Sequence, residues 1–348
     1  MRFLARLHAT VALVVCTVLY LTFSLHHTVK IRVHQAWTGS STTVVAFGDS
    51  WSAVDPDPRG TVSTLATKLR LAAAPGKPWV ERLCSEILCS RINNYAPYPT
   101  DPAARFGSVV DSSFYRSLTS RTNSTISADF LSDFKSQLQE FLADEDRNGW
   151  RSNTTSTVFT VFFGLGDIWS LADVDLSEAT QLVSTIVESL FEQLDLLADA
   201  VMEETEEPLT VVLPKVPDPT WLAIWLNERT GPMGSDRYGL AQRQAVLLAD
   251  RWNRDLAARA AVWDGGDIII PDFHQWMLDQ MREPKRGEYG FKGLLLGKYG
   301  VQSTFTELRA PDDTRLSGAA HELLGKHVAD LVKHRSDGNV TLSDALRR

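Results

Sequence analysis

Cysteine is scarce in this chain, with 3 among 348 residues. So few cannot build a disulfide scaffold, and a body of this length can bury a hydrophobic core without one. Long runs of Lys or Arg are also missing, and the formal charge is −8. Phosphate backbones need clustered cations, so nucleic acid is not an expected partner. No set of His, Cys and carboxylates falls at metal-ligand spacing, and no Gly-rich loop carries the Lys or acid that nucleotides require. Neither a metal nor a cofactor is expected. Repeats and low-complexity segments are absent too. With 44% hydrophobic and 22% charged residues, the chain reads as globular.

What is present starts with an apolar stretch from Ala9 to Leu25, preceded by Arg2 and Arg6 and followed by polar, basic sequence from His26. This is at the lower limit for a spanning helix and longer than most signal-peptide cores. No clear small-x-small cleavage site follows, so it reads as an uncleaved signal anchor rather than a removed signal. A buried core helix is the other alternative, but the stretch lacks an amphipathic pattern. Lys30 and Arg32 balance Arg2 and Arg6, so flanking charge leaves orientation open. Sequons at Asn123, Asn153 and Asn339 fit a lumenal or extracellular glycoprotein body. The expected plan is a cytoplasmic 1–8, a membrane helix at 9–25, a stalk at 26–40, one domain at 41–335 and a tail at 336–348. That makes a single-pass protein of the secretory pathway or cell surface, with the membrane as an expected partner and protein partners left open. Cys16 lies in the apolar stretch; Cys84 and Cys89 are neighbours that read either as a local disulfide or as two buried thiols.

Buried parallel strands read as short apolar runs. Four stand out, at Thr42–Phe47, Thr157–Phe163, Leu209–Leu213 and Asp267–Ile270, with a short fifth at Arg91–Ala96. Helical spacing marks Lys77–Leu88, Ala128–Asp144, Leu240–Trp263 and Ser317–His334. Ser177–Glu204 reads as a long helix capped by Ser177. Residues 280–306 read as Gly-rich and irregular. Strands alternating with helices predict a three-layer α/β/α sandwich around a mainly parallel sheet.

The first strand ends abruptly in Gly48-Asp49-Ser50. A serine there stands where open α/β sheets bind ligands, although such a residue can equally be a turn or helix-cap serine. This strand, with an Asp-containing segment before the last helix, resembles the GDSL or SGNH hydrolase family. A fungal branch is more similar still. Trp79-Val80-Glu81-Arg82-Leu83-Cys84 stands in the place of its Trp-Val-x-x-Leu-Cys segment, and Asn94-Tyr95-Ala96 in that of its Asn-aromatic-Ala element. The resemblance covers most of the body and implies an SGNH-hydrolase-like, flavodoxin-like fold. It further implies a serine that attacks an ester carbonyl and an Asp-x-x-His pair that supplies the base. The oxyanion hole is made from the serine amide, a glycine amide and an asparagine.

Ser50 matches the nucleophile and Asp312 the acid. The histidine position holds Arg315, which stays protonated and cannot accept the serine proton, though it can pair with Asp312 or Asp313 or bind an anion. The glycine position holds Pro99, which has no N–H to donate, so a donor is missing unless the loop shifts register. In Gly164-Leu165-Gly166-Asp167 the asparagine position is Gly166, and the family gives Asp167 no catalytic role. His321 or His274 would have to replace the base; otherwise they are a first-turn surface histidine and a loop histidine packed by Phe273 and Trp276. Trp169, Trp221 and Trp225 are expected in the core rather than a ligand pocket. Two functions follow: hydrolysis of a small acyl or carbohydrate ester, which is the candidate ligand, or a non-catalytic binding or scaffold protein on the same fold. An acyltransferase is a third.

Overall fold

The computed structural model describes residues 42–53, 77–97, 106–119, 132–144, 156–203, 209–222, 225, 236–282, 316 and 318–336. In chain order the elements are β1 (Thr42–Gly48), α1 (Trp79–Glu86), β2 (Arg91–Asn94), α2 (Ser112–Thr119), α3 (Phe134–Ala143), β3 (Ser156–Phe162), α4 (Leu165–Leu171), α5 (Leu176–Met202) and β4 (Leu209–Val212). After a 3-10 turn at Pro219–Trp221 come α6 (Asp236–Ala260), β5 (Gly266–Ile269), α7 (Phe273–Arg282) and α8 (Gly318–Ser336).

The five strands form one parallel sheet in the order β2-β1-β3-β4-β5. Every β1 residue after Thr42 is buried. Successive side chains of a strand point to opposite faces, so such a strand needs cover on both. Val44 packs on Cys84 and Cys89 of the α1 side. Phe47 turns the other way, with ring centroids 5.5 Å from Phe134 and 5.7 Å from Phe141 of α3. On β3, Phe159 meets Phe141 at 5.9 Å, whereas Phe162 meets Phe273 of α7 at 5.3 Å. Contacts of α8 with α1, and of α5 with α3 and α6, complete two helical layers around the sheet.

Most expected elements are present with shifted ends. The cap of α5 is Asp175, not Ser177: its carboxylate accepts from the amides of Ser177 and Glu178. An anion placed there both satisfies free amides and complements the positive end of the helix. Three short helices lie in segments without a long apolar period, namely α2, α4 and α7. Cys84 and Cys89 are joined as a disulfide, Cα atoms 4.9 Å apart, tying the end of α1 to the approach of β2. Among the described residues no helix is long and apolar enough to cross a membrane. The apolar stretch 9–25 with Cys16, the stalk, the sequons at Asn123, Asn153 and Asn339, and the tail 337–348 all lie outside the described residues.

Candidate functional site

In this strand order the chain reverses its direction of travel between β1 and β3, and ligands of open α/β sheets bind outside the strand carboxyl ends at such a point. Gly48-Asp49-Ser50 leaves β1 there, and Phe163-Gly164-Leu165 leaves β3 beside it. The Asp49 amide donates to the Phe162 carbonyl at 3.1 Å, joining the two exits. The Asp49 carboxylate accepts from the Trp51 amide at 2.9 Å, which folds the chain back after Ser50. Asn94 of β2 donates to the Ser52 carbonyl at 2.7 Å and accepts from the Ala96 amide at 2.9 Å.

Gln137 holds this turn from the α3 side. Its side chain accepts from the Gly48 amide at 2.9 Å, donates to the Gly48 carbonyl at 2.9 Å, and donates to the Ser108 hydroxyl at 3.0 Å. The Ser108 hydroxyl donates in turn to the Ser132 carbonyl. One buried amide side chain therefore ties β1, the 106–110 segment and the start of α3 together.

Ser50 is 2% exposed, and its hydroxyl makes no hydrogen bond among the described residues. Its amide donates to the Phe106 carbonyl at 2.9 Å. Gly107 follows with φ of +82°, and a Cβ there would stand 3.2 Å from the Ser50 nitrogen. So the glycine beside the serine is Gly107. The Pro99 position lies outside the described residues. The available signal was Gly107 ahead of the buried pair Val109-Val110.

Gly166, at the expected asparagine position, backs onto the same segment. A Cβ on it would lie 2.5 Å from the Ser108 carbonyl oxygen, so a side chain has no room there. Gly164 caps α4, and Asp167 sits in the first turn of that helix, fully buried. Its Oδ1 accepts from the Tyr115 hydroxyl at 2.7 Å and from the Val110 amide at 3.3 Å. Burial lifts its carboxyl from 3.8 to about 7, against lowering by the Tyr115 and Val110 bonds and the amides of Asp167 and Gly164. Burial and the neighbouring Asp167 likewise raise the Tyr115 phenol well above its ordinary value. Asp133, which caps α3, behaves oppositely. Burial alone would raise it, but bonds from Ser136 and Ser112 hold it below the usual carboxylate value.

The structure thus brings Ser50, Gly166 and Asp167 around one segment, residues 106–115. His321 is not a surface residue: it is 3% exposed and its ring meets Trp51 edge-on, centroids 6.5 Å apart. The helical fold of α8 turns this position inward, toward the residue that follows Ser50. His274 lies in α7 rather than a loop, its ring stacked on Trp221 at 4.8 Å. That helix follows β5, three places from β1 and roughly 14 Å along the sheet at ordinary strand spacing. Trp225 is fully buried, and Trp169 and Trp221 pack half-buried against the core. Asp312, Asp313 and Arg315 lie outside the described residues. Among the described residues, no group of three His, Cys, Asp or Glu stands together as metal ligands.

No family model matches the chain, and no curated protein matches it. A solved crystal structure resembles it over 85% of this chain and 99% of its own length, at 11% identity and a TM-score of 0.34. A likeness that loose carries no argument.

Proposed function

We propose that this chain is a membrane-anchored, secretory-pathway domain of SGNH-hydrolase type, flavodoxin-like in strand order, in which the serine site binds or scaffolds without turning over esters. One observation carries this reading: the Ser50 amide is spent on the Phe106 carbonyl at 2.9 Å. An oxyanion hole needs that amide free and aimed at developing charge. The asparagine donor is gone as well, and Ser108 fills the space it would use. Losing one such donor costs about 2.7–4 kcal/mol of transition-state stabilisation. The base position holds Arg315, a permanent cation, and removing the base of a serine hydrolase costs roughly a millionfold in turnover. These losses are not additive, yet the second alone removes most activity. Arg315 supports binding of an anionic group, carboxylate or phosphate, through paired N–H donors.

The test is acylation. The full chain is treated with a fluorophosphonate serine probe beside Ser50→Ala. Neither protein is expected to label. Labelling of the unaltered chain alone would overturn the proposal.

A second reading is favoured by the unbonded Ser50 hydroxyl among the described residues and by His321 packed on Trp51. In it Ser50 attacks the carbonyl of an acyl or carbohydrate ester while His321, oriented by Asp312, takes the hydroxyl proton; the alcohol leaves with that proton, and water, deprotonated by His321, then hydrolyses the acyl-serine and restores Ser50. The same labelling outcome would favour it.

A further inference from the structure

We propose that the buried Asp167–Tyr115 pair is a pH-responsive latch whose ionisation sets how firmly residues 106–115 close over Ser50. Three contacts on one short segment support it. Tyr115 and Val110 both donate to the same Asp167 oxygen, at 2.7 and 3.3 Å. Gly166, next to Asp167, lets α4 approach the Ser108 carbonyl. Phe106, at the head of the segment, holds the Ser50 amide at 2.9 Å. A movement of the segment away from Asp167 therefore also releases Ser50.

Among the described residues, what favours the charge of Asp167 is hydrogen bonding, from Tyr115, Val110 and the amides at the start of α4, and burial outweighs it. On the 106–119 segment the charged and titratable residues are Asp111, Tyr115 and Arg116, and the charge of Asp111 acts on Tyr115. At the head of α3 stands Asp133, bound to Ser112. Asp49 at the end of β1 accepts from Trp51, and Asp218 in the 3-10 turn accepts from Thr220. From α6, neutral Gln244 reaches the carbonyls of Leu171 and Val174 and neutral Trp252 stands against Gly164, while Arg243 is exposed; at the head of α5, which also packs on α4, the charged groups are the acids Asp175 and Glu178. Among these neighbours the buried side chains described are acidic or neutral, and the second Asp167 oxygen has no hydrogen-bond partner among the described residues.

The sign follows from linkage. Burial raises this carboxyl from 3.8 to about 7, so the closed form holds the proton and the opened form releases it. Closure is fully favoured below about pH 4. That advantage declines between about 4 and 7 and is gone above 7.

The latch acts on the closed serine site described above, but its test reads backbone exchange rather than acylation, so either can fail alone. Amide hydrogen exchange of the full chain is followed from pH 4.5 to 8 and corrected for intrinsic rates. Protection of peptides covering 106–115 and 48–53 is expected to fall by up to about tenfold per pH unit and level off near pH 7. In Asp167→Asn the profile should be flat. Should that variant not fold, Tyr115→Phe decides: removing a donor that favours the anion should move the levelling point to higher pH. A flat profile in the unaltered chain, a sloping one in Asp167→Asn, or an unmoved levelling point in Tyr115→Phe would each overturn the latch.

Discussion

At the exits of β1 and β3, Gln137, Ser50 and Asp167 are buried and meet no charged partner among the described residues; beyond β4 and β5, Asp218 is buried on Thr220, but Lys215 and Asp272 reach solvent and pair as ions. Gln137, Ser50 and Asp167 are all at most 2% exposed. Across the same edge, Lys215 meets Asp272 at 2.6 Å with their side chains 26% and 38% exposed. His274 lies alongside, half-buried on Trp221. The difference is one of solvent. Where water is excluded, each lost bond leaves a group with nothing to replace its partner. Where water enters, it substitutes for the lost partner, and an ion pair is worth little.

Breaking the closed end should therefore cost most. Gln137→Leu leaves the amide and carbonyl of Gly48 without their partner, and two orphaned buried groups cost roughly 2–6 kcal/mol. A chemical denaturation midpoint measures it; a loss under about 0.5 kcal/mol, below the usual worth of even one hydrogen bond, would mean that the clamp is not a stabilising contact.

Gly166→Asn tests the same end by overpacking. Its Cβ would stand 2.5 Å from a backbone oxygen, and Ser108 is fixed by Gln137 and Ser132, so about 1–3 kcal/mol should be lost. Labelling by the serine probe should not appear. A Gly166→Asn protein that stays stable and acylates would show instead that only the side-chain donor was missing.

At the open end, Lys215→Met should change stability by less than about 1 kcal/mol, with the small effect weakening further in high salt. A change as large as that of Gln137→Leu would erase the contrast between the two ends.

Much of the frame is legible in the chain. The apolar runs at 42–47 and 157–163 are central strands, because only a strand covered on both faces can carry such runs. Ser50 leaves the first of them, as expected. His321 reads as a surface residue in the sequence, yet it is buried: α8 has a weak amphipathic pattern, and its inward face is set by α1 and Trp51. Gly107 does not stand out, because no sequence period links it to Ala96 or to Ser50. The α5 cap is expected two residues late, because Asp175 and Ser177 both satisfy the capping pattern and only geometry separates them.

Local order along the chain determined where strands and helices lie and which serine stands at the first strand's exit, because periodicity and side-chain volume act over a few neighbouring residues. Only the tertiary structure decided that Phe106 takes the Ser50 amide, that Ser108 fills the space at Gly166, and that Asp167 is buried against Tyr115. Those contacts join segments about fifty or more residues apart, and their ångström-scale fit depends on how the two helical layers close on the sheet rather than on any nearby pattern.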